Sequence, residues 1–352
     1  MSKYPWIALS VVPLASIIAD DNTITIPEGK LINHPSLYQD ITPSAGPRVI
    51  GGVGLYFTGD YIYWTAREDN LSYAVNGSSM INDSTGGVLI TPTHKGREHQ
   101  IRFTYNSGFK AGMGFSFGHD KWDMYMNYTW YQSNNNHASF TRKNSDPLAN
   151  TVALSNTNTL FVLLDKAKAH WDLHFNVFDM EMGRNFYVSK FLSLRPFFGL
   201  KGTWQEQHYK LRYDLASGVK INSHQENACW GMGLRSGVNT AWHLAANWSF
   251  YADGAITALW EDFSITRKDR VSETDTLYYD TKYFFHTIKP VIELAAGLRK
   301  EDWIYNDRYH IALQVGWEEQ IWINQNQFDY YVENRQGDLI LQGVTAKARF
   351  DF

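Results

Sequence analysis

Three patterns in this sequence put titratable side chains where chemistry could be done. In DKAKAHWDLHFNV, the alternate residues Lys166, Lys168, His170, Asp172, His174 and Asn176 share one side of an extended chain. Two imidazoles flanking a carboxylate, about 7 Å apart along a strand, could hold a metal such as Zn²⁺. A wet polar lining wants the same composition, and the reading that follows assigns no metal, cofactor or catalytic residue. His119 and Asp120 are adjacent, a carboxylate beside an imidazole as a hydrolase would need. Their setting in a tight polar link between two alternating runs favours a turn instead. Ser72, Ser78, Ser79 and Ser84 lie together without a readable nucleophile motif.

The elements that would position these groups are strands. Around the His119 link, Phe109, Ala111, Met113, Phe115 and Phe117 alternate with Lys110, Gly112, Gly114, Ser116 and Gly118; then Trp122, Met124, Met126, Tyr128 and Trp130 alternate with Asp123, Tyr125, Asn127 and Thr129. Period two over two runs joined by a short polar link predicts a hairpin. The same one-sided logic recurs from Gly54, Lys166, Leu192, Cys229, Trp248, Ile288, Tyr309 and Ile340, which predicts ten strands. In the run from Lys166 the apolar side is Ala167, Ala169, Trp171, Leu173, Phe175 and Val177. It is taken to face outward, with the Lys, His and Asp side inward.

Connections predicted at residues 69–107, 133–165, 214–225, 262–282 and 324–338 are long and polar, and they alternate strictly with short ones. That asymmetry belongs to transmembrane barrels, which have short periplasmic turns, longer outer loops and an even strand count. The fold class expected is therefore all-β: a closed antiparallel transmembrane β-barrel of about ten strands, or twelve if a hairpin hides within residues 69–107 or 133–165. Trp122 to Trp130 and Tyr309 to Trp317 are each eight residues apart, roughly 26 Å along a strand and about 20 Å at a 40° tilt, close to the ~25 Å apolar band of such barrels. Trp122, Trp130, Trp248, Trp260, Tyr309 and Trp317 are accordingly expected at the lipid interfaces.

Composition agrees with this class. Of 352 residues 15% are aromatic, including 13 Trp and 21 Tyr, yet no run of 18 apolar residues occurs, which excludes a helical bundle in the membrane. The net charge of −4 without a clustered basic face excludes nucleic acid as a partner. The first 19 residues, with Lys3, an apolar stretch from Trp6 to Ile18 and Ala19 before Asp20, read as a secretory leader; a short buried segment is the alternative, because Pro13 interrupts the stretch. Residues 20–53, with Pro27, Pro35, Pro43 and Pro47, read as an irregular arm, and 54–352 as the barrel. The lone Cys229 allows no intrachain disulfide.

The inward set carries mixed charge. Lys110, Lys168, Arg195, Lys201, Arg235, Lys289, Arg299, Lys347 and Arg349 share it with Asp123, His170, Asp172, His174, Asp253, Glu293 and Glu318. Such a lining could tune the passage of ions, or its opposite signs could pair across a narrow barrel and close it.

The segments TPSAGPRVIGGVGLYFTGDYIYWTAREDNLSYA, GFKAGMGFSFGHDKWDMYMNYTWY and SLRPFFGLKGTWQEQ resemble the Legionella and chlamydia-like major outer membrane protein family of pore-forming barrels, over most of the chain from Pro43 to Phe352. The resemblance implies an outer-membrane protein of a Gram-negative bacterium, porin-like, passing small hydrophilic solutes or ions. The end of the chain, with Phe350 and Phe352, is similar to the signal that such barrels present to the assembly machinery. Chlamydial members are cysteine-rich and cross-linked, a property that does not carry over to a chain with one Cys. A closed structural or adhesive barrel meeting host surfaces through its outer loops is the second reading, and a barrel hydrolase the third; outer-membrane lipids are a partner in all three, and a homo-oligomer is left open.

Overall fold

The computed structural model describes residues 43–47, 49, 52, 54–82, 88–117, 121–143, 146–152, 154, 162–329 and 336–352. The expected leader, most of the arm, His119 and Asp120 lie outside them. The strands are β1 (Leu55–Glu68), β2 (Ser72–Asn82), β3 (Val88–Gln100), β4 (Tyr105–Ser116), β5 (Trp122–Thr141), β6 (Leu148–Asn150), β7 (Leu163–Arg184), β8 (Phe186–Tyr187), β9 (Leu192–Leu215), β10 (Lys220–His243), β11 (Trp248–Val271), β12 (Leu277–Ile304), β13 (Tyr309–Asn326) and β14 (Gly337–Asp351). Ten of them, β1, β4, β5, β7 and β9 to β14, pair in that order, every pair antiparallel. β1 pairs with both β4 and β14, so the sheet closes on itself and has no edge. The seam between β1 and β14 runs from Tyr56↔Asp351 to Glu68↔Leu339.

Two of the predicted long connections are instead strand. β9 runs to Leu215 and β10 starts at Lys220, leaving only residues 216–219 as a turn around Gly218, whose φ of +89° suits glycine. β11 and β12 likewise extend to Val271 and from Leu277. The reason is length: β12 has 28 residues, roughly 90 Å of extended chain, whereas about 9–11 residues cross a bilayer. The barrel wall therefore continues well above the membrane, where polar side chains outside are ordinary surface. β2, β3 and β6 add to this upper storey: β6 pairs with the end of β7 and with β2, and β2 pairs with β3.

At the opposite end residues 43–45 lie along the turn between β7 and β9. Ala45 N–H donates to the Asn185 carbonyl at 3.1 Å and Tyr187 N–H to that of Pro43 at 2.8 Å.

Candidate functional site: the lumen and the outer wall

Within the lower half, strand alternation sends one set of charged arms into the lumen. Lys201 sits between Asp179 at 2.7 Å and Glu293 at 2.5 Å and is 1% exposed. Arg235 reaches Glu293 at 2.5 Å and Glu181 at 3.1 Å, and Arg195 pairs with Asp123 and holds Asn239 Oδ1 at 2.9 Å. Lys110 Nζ meets Glu318 at 2.5 Å, Arg349 meets Asp351 at 2.6 Å, and Lys289 donates to the Asn324 carbonyl at 2.5 Å. Lys347 donates to Tyr125 Oη at 3.3 Å, Arg299 lies over the Tyr251 ring, and Asp253 shares the cavity they line. The glycines that follow Lys110 on the same face have a steric role: a Cβ on Gly114 would sit 2.1 Å from the Tyr56 ring and one on Gly112 would meet Tyr125 Oη. Two cavities of about 130 and 140 Å³ remain among these groups, large enough to hold water.

In the upper half the lumen is filled by buried side chains, an apolar cluster beside polar ones such as Gln207, Gln225, Asn227 and Gln325. Trp64, Trp171, Leu173, Phe175, Tyr209, Tyr213, Trp322 and Leu339 are each 0% exposed and form one cluster. Part of the filling comes from the chain that leaves β1. It crosses toward the far wall, where Tyr213 Oη donates to the Tyr73 carbonyl at 2.9 Å and Tyr209 Oη to that of Leu71 at 3.4 Å. Its start is fastened to the wall: Asp69 N–H donates to the Asp338 carbonyl at 3.0 Å, Asn326 Nδ2 to the Asp69 carbonyl at 2.8 Å, and Gly337 leaves room for that carbonyl. Leu71, Tyr73, Ile101, Leu148, Val152 and Leu154 thus form a lid.

Glu68, at the top of β1 and above the lipid band, is buried beneath this lid. Burial pushes its carboxyl well above the usual glutamate range, and the charges of Asp69 and Asp338 add to the shift, while neither carboxyl oxygen has a hydrogen-bond partner. The folded barrel therefore keeps a proton that the unfolded chain loses above a pH of about 4.3, and stability falls as pH rises through that window and beyond. Glu68→Gln is expected to be more stable than the parent at pH 8 by about 1–3 kcal/mol, the usual cost of unsatisfied buried polar groups. The gap should close towards pH 4 in urea unfolding, and identical pH slopes would contradict it.

The strand β7 requires a correction. Lys168, His170, Asp172 and His174 do not line the lumen; they stand on the outside of the wall, and Ala169, Trp171, Leu173 and Phe175 point in. Above the membrane the solvent lies outside the wall and the apolar filling inside it, so the polarity of the two faces exchanges. The remaining inward set, Lys110, Asp123, Arg195, Lys201, Arg235, Asp253, Lys289, Glu293, Arg299, Glu318, Lys347 and Arg349, projects into the lumen.

Outside, β7, β9 and β10 bring together groups that the sequence does not join. His208 Nδ1 hydrogen-bonds Asp172 at 2.7 Å and its Nε2 lies 3.2 Å from Glu206. His170 Nε2 is 3.4 Å and Lys210 Nζ 3.5 Å from the other Asp172 oxygen. His224 stacks on His208 at 5.9 Å and His174 meets it edge-on at 6.3 Å. The hydrogen bond to Asp172 raises the His208 pKa, whereas burial and the nearby charges of Lys210 and His208 lower that of His224. A signal for this arrangement in the sequence is the adjacent pair Val177-Phe178, where the apolar phase slips by one residue although neither neighbouring ladder is interrupted there.

An aromatic belt marks the upper lipid boundary: Trp204 pairs with Trp230, Met232 with Trp260, and Trp317 with Val344, which also faces Tyr63. Trp260 and Trp317 are exposed and Trp130 half-buried here; Trp122, Trp248 and Tyr309 face outward near the lower turns. Phe350 stacks on Tyr309 at 5.6 Å and Phe352 on Phe57 at 5.7 Å, beside the seam.

A family model described as Legionella pneumophila major outer membrane protein precursor matches residues 54–352. Among curated proteins nothing matches. Among solved structures the chain is similar to the outer membrane protease OmpT of Escherichia coli at 11% identity, covering 84% of this chain and 96% of that one with a TM-score of 0.38. It is also similar to a Pseudomonas aeruginosa FadL homologue at 6% identity (85% and 89% covered, TM-score 0.23) and to the P. putida toluene transporter TodX at 8% (85% and 90%, TM-score 0.21).

Proposed function

Since the chain belongs to the Legionella major outer membrane protein family and resides in the outer membrane of a Gram-negative bacterium, we propose that it is a closed, non-enzymatic barrel that acts through its outer face. The observation that carries this reading is the packed filling of the upper lumen, its apolar cluster tied to the lid by Tyr209 and Tyr213. Trp171, Phe175 and Trp322, with the buried amides of Gln207, Gln225 and Gln325 beside them, are packed out of contact with solvent, and removing the filling would cost the burial that holds the upper storey together. Its partners on this reading are outer-membrane lipids at the aromatic belt, the assembly machinery at Phe350 and Phe352, and a neighbouring or host surface above. In planar bilayers the purified, heat-modifiable barrel is expected to give no conductance steps; steady steps from unmodified protein would overturn the reading.

A porin-like channel is the second reading, favoured by the mixed charges and the two cavities of the lower lumen. It requires the lid to leave, and it predicts conductance steps from the unmodified protein that become more frequent when Leu71 and Tyr73 are replaced by Asp.

A further inference from the structure

We propose that Glu206, His208 and Glu226, on the outer wall above the aromatic belt, form a binding site for a late first-row divalent cation such as Zn²⁺. β9 and β10 pair His208 directly with Glu226, and Glu206 stands two residues from His208 on the same face. One ligand atom from each lies within 4.8 Å of the others. Donors about 2.1 Å from a tetrahedral ion stand roughly 3.4 Å apart. His208 Nε2 and Glu206 Oε1 are already 3.2 Å apart, so Glu226 has little over an ångström to travel. Thr266 Oγ1 holds one Glu226 oxygen at 3.4 Å and leaves the other to bind.

A second observation separates this cluster from an ordinary ion pair. The His208 Nδ1 is engaged by Asp172 at 2.7 Å, which fixes the ring with Nε2 toward the two glutamates. Metal-binding imidazoles are held in that way by an outer carboxylate. Asp172 is thus a positioning residue, and the imidazole selects a transition ion over Mg²⁺ or Ca²⁺. The fourth position faces solvent and takes water or a donor from another molecule.

The test is equilibrium dialysis of the folded, detergent-solubilised full chain against Zn²⁺ with metal analysis. One zinc per barrel is expected, with affinity at least 100-fold weaker in His208→Ala, at least 10-fold weaker in Glu226→Gln, and 10- to 100-fold weaker in Asp172→Asn. His286→Ala, an exposed histidine on β12 outside the cluster, is expected to bind as the parent does. Heat-modifiability shows that each variant is folded, which surface positions allow. Absence of binding in the parent, or parent-like affinity in both folded His208→Ala and Glu226→Gln, overturns the proposal.

Discussion

Trp171→Ala is expected to cost about 3–5 kcal/mol of unfolding free energy, the range for removing a large buried aromatic. Trp171 is fully buried, donates from Nε1 to Gln207 at 3.2 Å, and meets Phe103 edge-on at 5.6 Å. Truncation leaves a cavity between wall and lid and strands the Gln207 amide oxygen. Lys168→Ala, three residues away on the outer face, is expected to change stability by less than about 0.5 kcal/mol, as surface changes do. Urea titration of the two variants measures both. If Trp171 faced lipid, as the alternation alone suggests, its loss would be mild and Lys168 would be the sensitive position.

Lys201→Met is expected to be nearly as severe, about 3 kcal/mol, at the low end for breaking a buried ion pair. The ammonium is enclosed by Asp179 and Glu293, and its removal leaves two carboxylates sharing Arg235, which approaches Asp179 at 3.6 Å and Glu293 at 2.5 Å. Adding Asp179→Asn should recover part of the loss, because one uncompensated charge disappears with its partner. A double-mutant cycle reads this directly; additive effects would mean that Lys201 and Asp179 do not interact in the folded barrel.

These two residues also mark where the sequence was legible. The run Leu192 to Trp204 puts Lys201 inside, because within the bilayer the apolar face points at lipid and the other face must be the lining. The ten strands and their order follow from the same alternation. The identical rule applied one storey too high puts Trp171 outside. Period two reports that two faces differ, not which medium each one meets, and a strand that leaves the membrane exchanges media without changing its pleat. The slip at Val177-Phe178 carried that information, and β9 repeats it between Trp204, facing out, and Tyr209, facing in. The lid was not legible because it depends on chain-remote contacts: Leu71 and Tyr73 are held by Tyr209 and Tyr213, some 140 residues away in sequence.

The seam has a consequence for how the molecule comes into being. β1 finds one of its two neighbours about 50 residues away and the other nearly 300 residues away, so the last strand of the barrel completes a ladder with its first. Until β14 arrives, β1 and β13 each present an open row of amides and carbonyls in a medium that offers them nothing, and joining such distant partners is the slow kind of pairing. Trp64, whose indole N–H donates to Thr345 Oγ1 at 3.1 Å, acts there as a latch between the first and last strands of the barrel. An incomplete chain therefore has no half-stable form: the cylinder either shuts or remains exposed to every other unpaired strand nearby.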